Sequence, residues 1–140
     1  MALDGLTASI IASGLITQPL KYAVERSRPS KGTGAYGFRP FSGSGSFPSG
    51  HTTEAFAVAT VISEHYESLW VRLTSYGLAT AVGYARMNSD AHWASDVLAG
   101  AAIGTFVGQV VVRFNKRHRA LAVMPLLGPD IKGAEVVWSF

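Results

Sequence analysis

Gly100, Gly104 and Gly108 recur every four residues inside VLAGAAIGTFVGQVVV, the longest uncharged apolar stretch of the chain. Residues four apart share one face of a helix, and each glycine inside a helix costs roughly 1 kcal/mol against alanine. Three such losses on one face call for a compensation. The physical one is a shallow groove along which a second helix backbone comes close. The stretch therefore predicts a long helix from about His92 to about Asn115, packed tightly on a partner.

The rest of the chain is read around that helix. With 140 residues it has the size of one ordinary domain, with a core over about 3–116 and a tail over 117–140. Residues 3 to about 25 are helix-compatible, and Pro19 either starts a second helix there or kinks the first. Helical patterns return at about 50–66 and 69–86, followed by the polar link MNSDA. Between the first and second helical regions lies PSKGTGAYGFRPFSGSGSFP (29–48), too rich in glycine for a regular element. A loop longer than roughly 12–15 residues in a compact domain usually serves a site. The tail is expected to be irregular, broken by Pro125, Gly128 and Pro129, with a β-prone VVWSF at its end. The fold class this predicts is all-α: a helical bundle with a long glycine-rich active-site loop and an irregular C-terminal tail.

Composition narrows the chemistry. Apolar residues make up 48% and charged residues only 15%, which fits broad apolar helix faces or membrane association. Residues 97–112 fall just short of the roughly 18–20 that a spanning helix needs, and they include Gln109. The earlier apolar segment, Leu6 to Val24, is interrupted by Gln18, Pro19 and Lys21. A soluble or membrane-peripheral domain that purifies without detergent is the expectation. The N-terminus carries Asp4 and no basic run, so no secretory signal is read there. There is no cysteine, which excludes disulfides and thiolate metal sites. The net charge is +3, with basic residues gathered at 21–39 and 113–119. That pattern favours a local anion site over a nucleic-acid partner.

Three clusters hold the candidate chemistry: KYAVERSRP (21–29), PSGH (48–51) and ARMNSDAHWASD (85–96). His92 and Asp96 are four apart, so on a helix the carboxylate reaches an imidazole nitrogen and fixes the tautomer. The alternative is a stabilising pair at a helix start. Lys21 and Arg28 share a face if their helix runs on to Pro29, and so converge on one anion, or else they are solvated charges near a helix end. Arg26 and Glu25 read as surface residues. In PSGH, Ser49 is a capping residue and the amides of Gly50 and His51 suit an oxyanion at a helix N-terminus. His51 is otherwise a polar residue near a cap. His65 and His118 read as solvated, and no metal-ligand grouping is present.

The order and spacing of these clusters resemble the phosphatidic-acid-phosphatase type 2 superfamily over about residues 15–112. That superfamily includes class A acid phosphatases, lipid phosphate phosphatases and vanadium haloperoxidases. The resemblance implies a phosphate pocket in an all-α bundle. Lys21, Arg28 and Arg86 match its phosphate-binding cations, and Ser49 and Gly50 match its phosphate-binding serine and amide. His92 matches the nucleophile that becomes a phosphohistidine, Asp96 the residue that orients it, and His51 the acid that protonates the leaving alcohol. Neither metal nor cofactor is implied. One position departs from the pattern: Ala85 stands where a serine usually precedes the arginine.

The implied activity is metal-independent hydrolysis of a phosphomonoester or lipid phosphate in the cell envelope, periplasmic or membrane-associated. Its partners would be a phosphate-bearing small molecule or lipid and a membrane surface. A vanadate-dependent haloperoxidase and a phosphate- or lipid-binding module that has lost catalysis are the alternatives.

Overall fold

The computed structural model describes residues 1–41, 43, 45–119, 121–127 and 132–138, with side chains as far as residue 117. The chain starts with α1 (Ala2–Ser9), continues through a π-helical stretch (Ile10–Thr17) and passes into α2 (Gln18–Val24). Ser9, Ile10, Thr17 and Gln18 all keep right-handed helical dihedrals, so this is one rod. Pro19 neither stops nor breaks it. A proline lacks an N–H and crowds the carbonyl four residues back, and the wider π register just upstream accommodates both.

The rod ends at Val24, earlier than Pro29, because Glu25 takes a left-handed conformation (φ 37°, ψ 58°) with its N–H on the Lys21 carbonyl at 2.9 Å. A left-handed residue is a common helix terminator. The glycine-rich segment then folds back on residues 22–27. Arg26 pairs with Phe38 in an isolated antiparallel bridge. The N–H of Ser27 donates to Gly37, that of Arg39 to Glu25, that of Phe41 to Tyr22 and that of Ser46 to Arg26. The loop includes one short 3-10 turn at Pro29–Lys31.

Two helices then form the centre of the bundle: α3 (Gly50–His65) and α5 (Ala94–Arg119), with α4 (Leu69–Asn88) packed chiefly on α3. The glycine stripe of α5 faces α3. A Cβ at Gly100 would lie 2.6 Å from the Ser49 carbonyl oxygen. At Gly104 it would collide with the Thr53 carbonyl oxygen, and at Gly108 it would come within 2.8 Å of Thr60 Cβ. The groove expected from the spacing exists, and its occupant is the backbone of α3. Buried Ala8, Ala12, Ala57, Val61, Val107, Val111 and Val112 fill the core around this contact. Small residues let the backbones approach, and dispersion over many close atom pairs then holds them.

α5 starts at Ala94, which leaves His92 on the turn before the helix. The tail carries more order than expected. β1 (Leu121–Leu127) and β2 (Lys132–Trp138) pair as an antiparallel hairpin, Pro125 opposite Ala134. Each strand of a two-stranded ribbon has a free edge, where a proline is tolerated. The breaks read at Gly128 and Pro129 and the side chain of His118 lie outside the described residues.

At the far end of the bundle His65 is not solvated. Its Nε2 lies 3.0 Å from a carboxylate oxygen of buried Asp4, and its Nδ1 is 2.9 Å from the Val61 carbonyl. Asn115 Nδ2 donates to the other Asp4 oxygen at 2.9 Å. This cluster joins α1, α3 and α5.

Candidate active site

The site forms where the end of α2, the glycine-rich loop, the start of α3 and the turn before α5 meet. Asp96 is its anchor, with a side chain 0% exposed. One carboxylate oxygen accepts from Arg26 Nη1 at 2.7 Å and the other from the Trp93 N–H at 2.9 Å. The second contact is the N3-to-N-cap half of a capping box, so the acid also closes the first turn of α5. The Asp96 carbonyl accepts the Ser49 N–H at 3.0 Å. All three sequence clusters thus touch one residue.

His92 is 5% exposed, and its Nδ1 sits 2.7 Å from the Ser46 carbonyl oxygen. A carbonyl only accepts, so Nδ1 carries a proton, and in the neutral ring the lone pair is on Nε2. Asp96 lies behind the same nitrogen at 3.8 Å, an ion-pair distance and too long for a hydrogen bond. The tautomer expected from Asp96 is therefore set chiefly by a backbone carbonyl of the glycine-rich loop. That loop oxygen carries no sequence signal. The His92 backbone is fixed as well, its N–H 3.3 Å from the Arg86 carbonyl.

Lys21 and Arg28 line a polar cavity of about 150 Å³ together with Gln18, Tyr22, Glu25, Gly43 and Gly45. They meet by a route other than helical periodicity, since the left-handed turn at Glu25 carries Arg28 back towards α2. Gly45 is needed for this closure. A Cβ there would fall 2.8 Å from the Lys21 carbonyl oxygen and 2.9 Å from Glu25 Cα. Desolvation lowers the Lys21 pKa, the Arg28 charge pushes the same way, and Asp96 opposes them. Asp96 is buried between the Arg26 guanidinium and the Trp93 N–H, with His92 behind it.

Arg86 adds a second polar feature: its Nε is buried and has no hydrogen-bond partner among the described residues. A buried guanidinium N–H without an acceptor is costly, and an incoming anion would relieve that cost. Ala85 beside it is exposed. Ser49 is fully buried at the N-cap position of α3, yet its side chain caps no backbone N–H, because its Oγ is engaged with Thr52 Oγ1 at 2.9 Å. His51 stands apart from the Lys21–Arg28 cavity. It is exposed on the first turn of α3 and lines an apolar cavity of about 530 Å³ with Val58, Ile62, Leu78 and Val82. Among the described residues no group of three His, Asp or Glu side chains is placed to hold a metal ion.

Two residues read as surface positions belong to the interior. Glu25 is 3% exposed and accepts the Gly43 N–H. Arg26, with a side chain 11% exposed, pairs with Asp96. The available signal for Arg26 was Asp96 itself, since a buried carboxylate needs a cation. Which of the nearby cations it takes depends on the fold.

A family model described as the PAP2 superfamily matches residues 3–120. The lipid A 1-phosphatase of Porphyromonas gingivalis is 42% identical over 92 residues, 64% of this chain and 18% of that protein. The lipid A 1-phosphatase of Rhizobium etli is 36% identical over 107 residues, 71% of this chain and 44% of that protein. The chain therefore spans less than half the length of either relative. Among solved structures, Aquifex aeolicus LpxE superposes with a TM-score of 0.66 at 29% identity, covering 79% of this chain and 66% of that one. The transmembrane PAP2-type phosphatidylglycerolphosphate phosphatase of Bacillus subtilis gives 0.63 at 27% identity, covering 81% and 58%.

Proposed function

Because the chain belongs to the PAP2 superfamily, we propose that it carries the catalytic part of a metal-independent phosphatase that hydrolyses a lipid-borne phosphomonoester through a phosphohistidine. The observation that carries the reading is the placement of His92: nearly buried and held at Nδ1 by the Ser46 carbonyl, which in the neutral ring puts the lone pair on Nε2. That is the form an attacking imidazole requires.

In the first step Nε2 of His92 attacks phosphorus, the bond from phosphorus to the ester oxygen breaks, and His51 gives a proton to the departing alcohol. In the second, water attacks the phosphorus of the phosphohistidine, the bond from phosphorus to Nε2 breaks and returns its electron pair to His92, His51 takes the water proton, and inorganic phosphate leaves. Lys21, Arg28 and Arg86, with the serine and amide at Ser49 and Gly50, bind the phosphoryl oxygens and stabilise the charge that builds on them in the transition state. Asp96 stabilises the imidazolium that forms when His92 is phosphorylated. The unpartnered Nε of Arg86 supports this assignment.

The substrate class is supported by the relatives, named for lipid A and phosphatidylglycerolphosphate, and by the apolar cavity beside His51. A membrane-associated place in the cell envelope, with the site open to the periplasm, goes with such a substrate. The test is alkaline quenching after brief exposure to a 32P-labelled lipid monophosphate. The wild-type chain should hold acid-labile label, and His92→Ala should hold none and lose turnover by at least about 10³-fold. Full turnover in His92→Ala would end the proposal.

A further inference from the structure

Arg26 is tied to several segments of the site, and none of the catalytic or binding roles proposed above uses it. Its Nη1 donates to Asp96 at 2.7 Å and to Ser95 Oγ at 2.6 Å. Its Nε donates to the Ala35 carbonyl at 2.7 Å, and its guanidinium lies 5.4 Å from the Trp93 ring centroid. Its own backbone is held on both sides, by the bridge to Phe38 and by the Ser46 N–H on its carbonyl at 2.7 Å. One residue thus grips the glycine-rich loop, the N-terminus of α5 and the acid behind His92.

The Ser46 connection bears on catalysis. Ser46 donates its N–H to Arg26 and offers its carbonyl to His92 Nδ1. The other path runs from the guanidinium through Asp96 to the same nitrogen. Both groups that face His92 Nδ1 are therefore fixed by Arg26, one through its backbone and one through its side chain.

We propose that Arg26 is a positioning residue for His92, which sets the place and charge of Asp96 and locks the glycine-rich loop to the start of α5. A lysine could not substitute fully. A point charge cannot bond Ala35, Ser95 and Asp96 in one plane as the guanidinium fork does.

The proposal rests on the reading of His92 as nucleophile, and the experiment separates the two. The full chain in detergent micelles is assayed with p-nitrophenyl phosphate, with inorganic phosphate as inhibitor, for wild type, His92→Ala, Arg26→Gln and Arg26→Lys. Arg26→Gln should lower kcat on the order of 10–100-fold, as the loss of a partner behind a functional histidine does, and leave inhibition by phosphate unchanged. The groups facing Asp96 are Arg26, His92, the Trp93 N–H and Ser46, with Lys21 acting at longer range. Without the arginine, the acid limb of kcat/KM should move to higher pH, because the carboxyl loses its cation. Arg26→Lys should return that limb to its wild-type position while kcat recovers only in part.

Wild-type kcat in Arg26→Gln overturns the proposal. So does a parallel fall of kcat and phosphate binding with an unmoved acid limb, the mark of a merely structural role. If Arg26→Gln does not fold, Arg26→Lys decides: reduced kcat with unchanged phosphate inhibition supports the proposal, and wild-type kcat overturns it. Activity persisting in His92→Ala overturns the nucleophile reading instead.

Discussion

Lys21 lies in a cavity that removes water from its ammonium while Arg28 repels it, and both effects lower its pKa. A lysine with a lowered pKa is fully charged only at pH values below that pKa, and its pull on an anion fades as pH rises through it. Inhibition by inorganic phosphate should therefore weaken on the alkaline side at a lower pH than an ordinary lysine would produce. Lys21→Arg, charged throughout, should remove that early loss. A phosphate inhibition constant that stays flat into strongly alkaline solution in the wild type would contradict the assignment. The same scale separates His92 from Asp96. Their spacing in the sequence suggests a direct hydrogen bond, but the structure gives 3.8 Å and hands Nδ1 to Ser46. Spacing of four constrains two side chains only where both are helical, and His92 precedes the helix.

Elements follow the same division. The glycines of α5 announce a close helix contact because their periodicity and their cost are both visible in the text of the chain. That α3 fills the groove is visible only in three dimensions. Gly104→Ala should gain about 1 kcal/mol of helix propensity and lose about 1–3 kcal/mol or more to overpacking. The obstructing atoms are the Thr53 carbonyl oxygen and the Ala57 nitrogen, both backbone, so the loss wins. A thermal melt in detergent should show Tm lower by roughly 3–4 °C for each net kcal/mol lost. Among the described residues, nothing lies within 4 Å of a Cβ added at Gly77 of α4. Gly77→Ala should therefore raise stability by about 0.5–1 kcal/mol. A similar response at both positions would show that packing does not set the difference. The cluster at the other end of the bundle offers a second check. Asp4→Ala leaves His65 and Asn115 without their shared acceptor and should cost about 1–3 kcal/mol, read from the same melts.

On the scale of the whole molecule, the outward faces are apolar. Leu3, Leu6, Ile10 and Leu15 on the first rod, Leu69, Trp70, Leu73 and Leu78 on α4, and Leu98, Phe106 and Phe114 on α5 are exposed, Trp70 by 78%. The stretch Ala94–Arg117 is long and apolar enough to cross a membrane by length and composition. The apolar run in the sequence looks too short because it stops at the first charges, whereas the helix extends past them to Arg119. Against the expectation of detergent-free purification, these faces favour a membrane: the protein should sediment with membranes and aggregate when detergent is withdrawn, since many large apolar side chains point outward. A monodisperse species in plain buffer would count against membrane association.

The sequence by itself determined a helical bundle, the glycine groove, a long glycine-rich loop, and a set of cations, histidines and one acid in a fixed order. These features are local, set by backbone propensity and by spacing within single segments, and such information survives in one dimension. Only the tertiary structure decided which groups touch. It ended α2 at Glu25, drew Arg26 from the expected surface to Asp96, and gave the tautomer of His92 to a loop carbonyl. Each of those outcomes depends on contacts between segments far apart in the chain and on backbone atoms, which are the same in every residue and so leave no mark in a sequence.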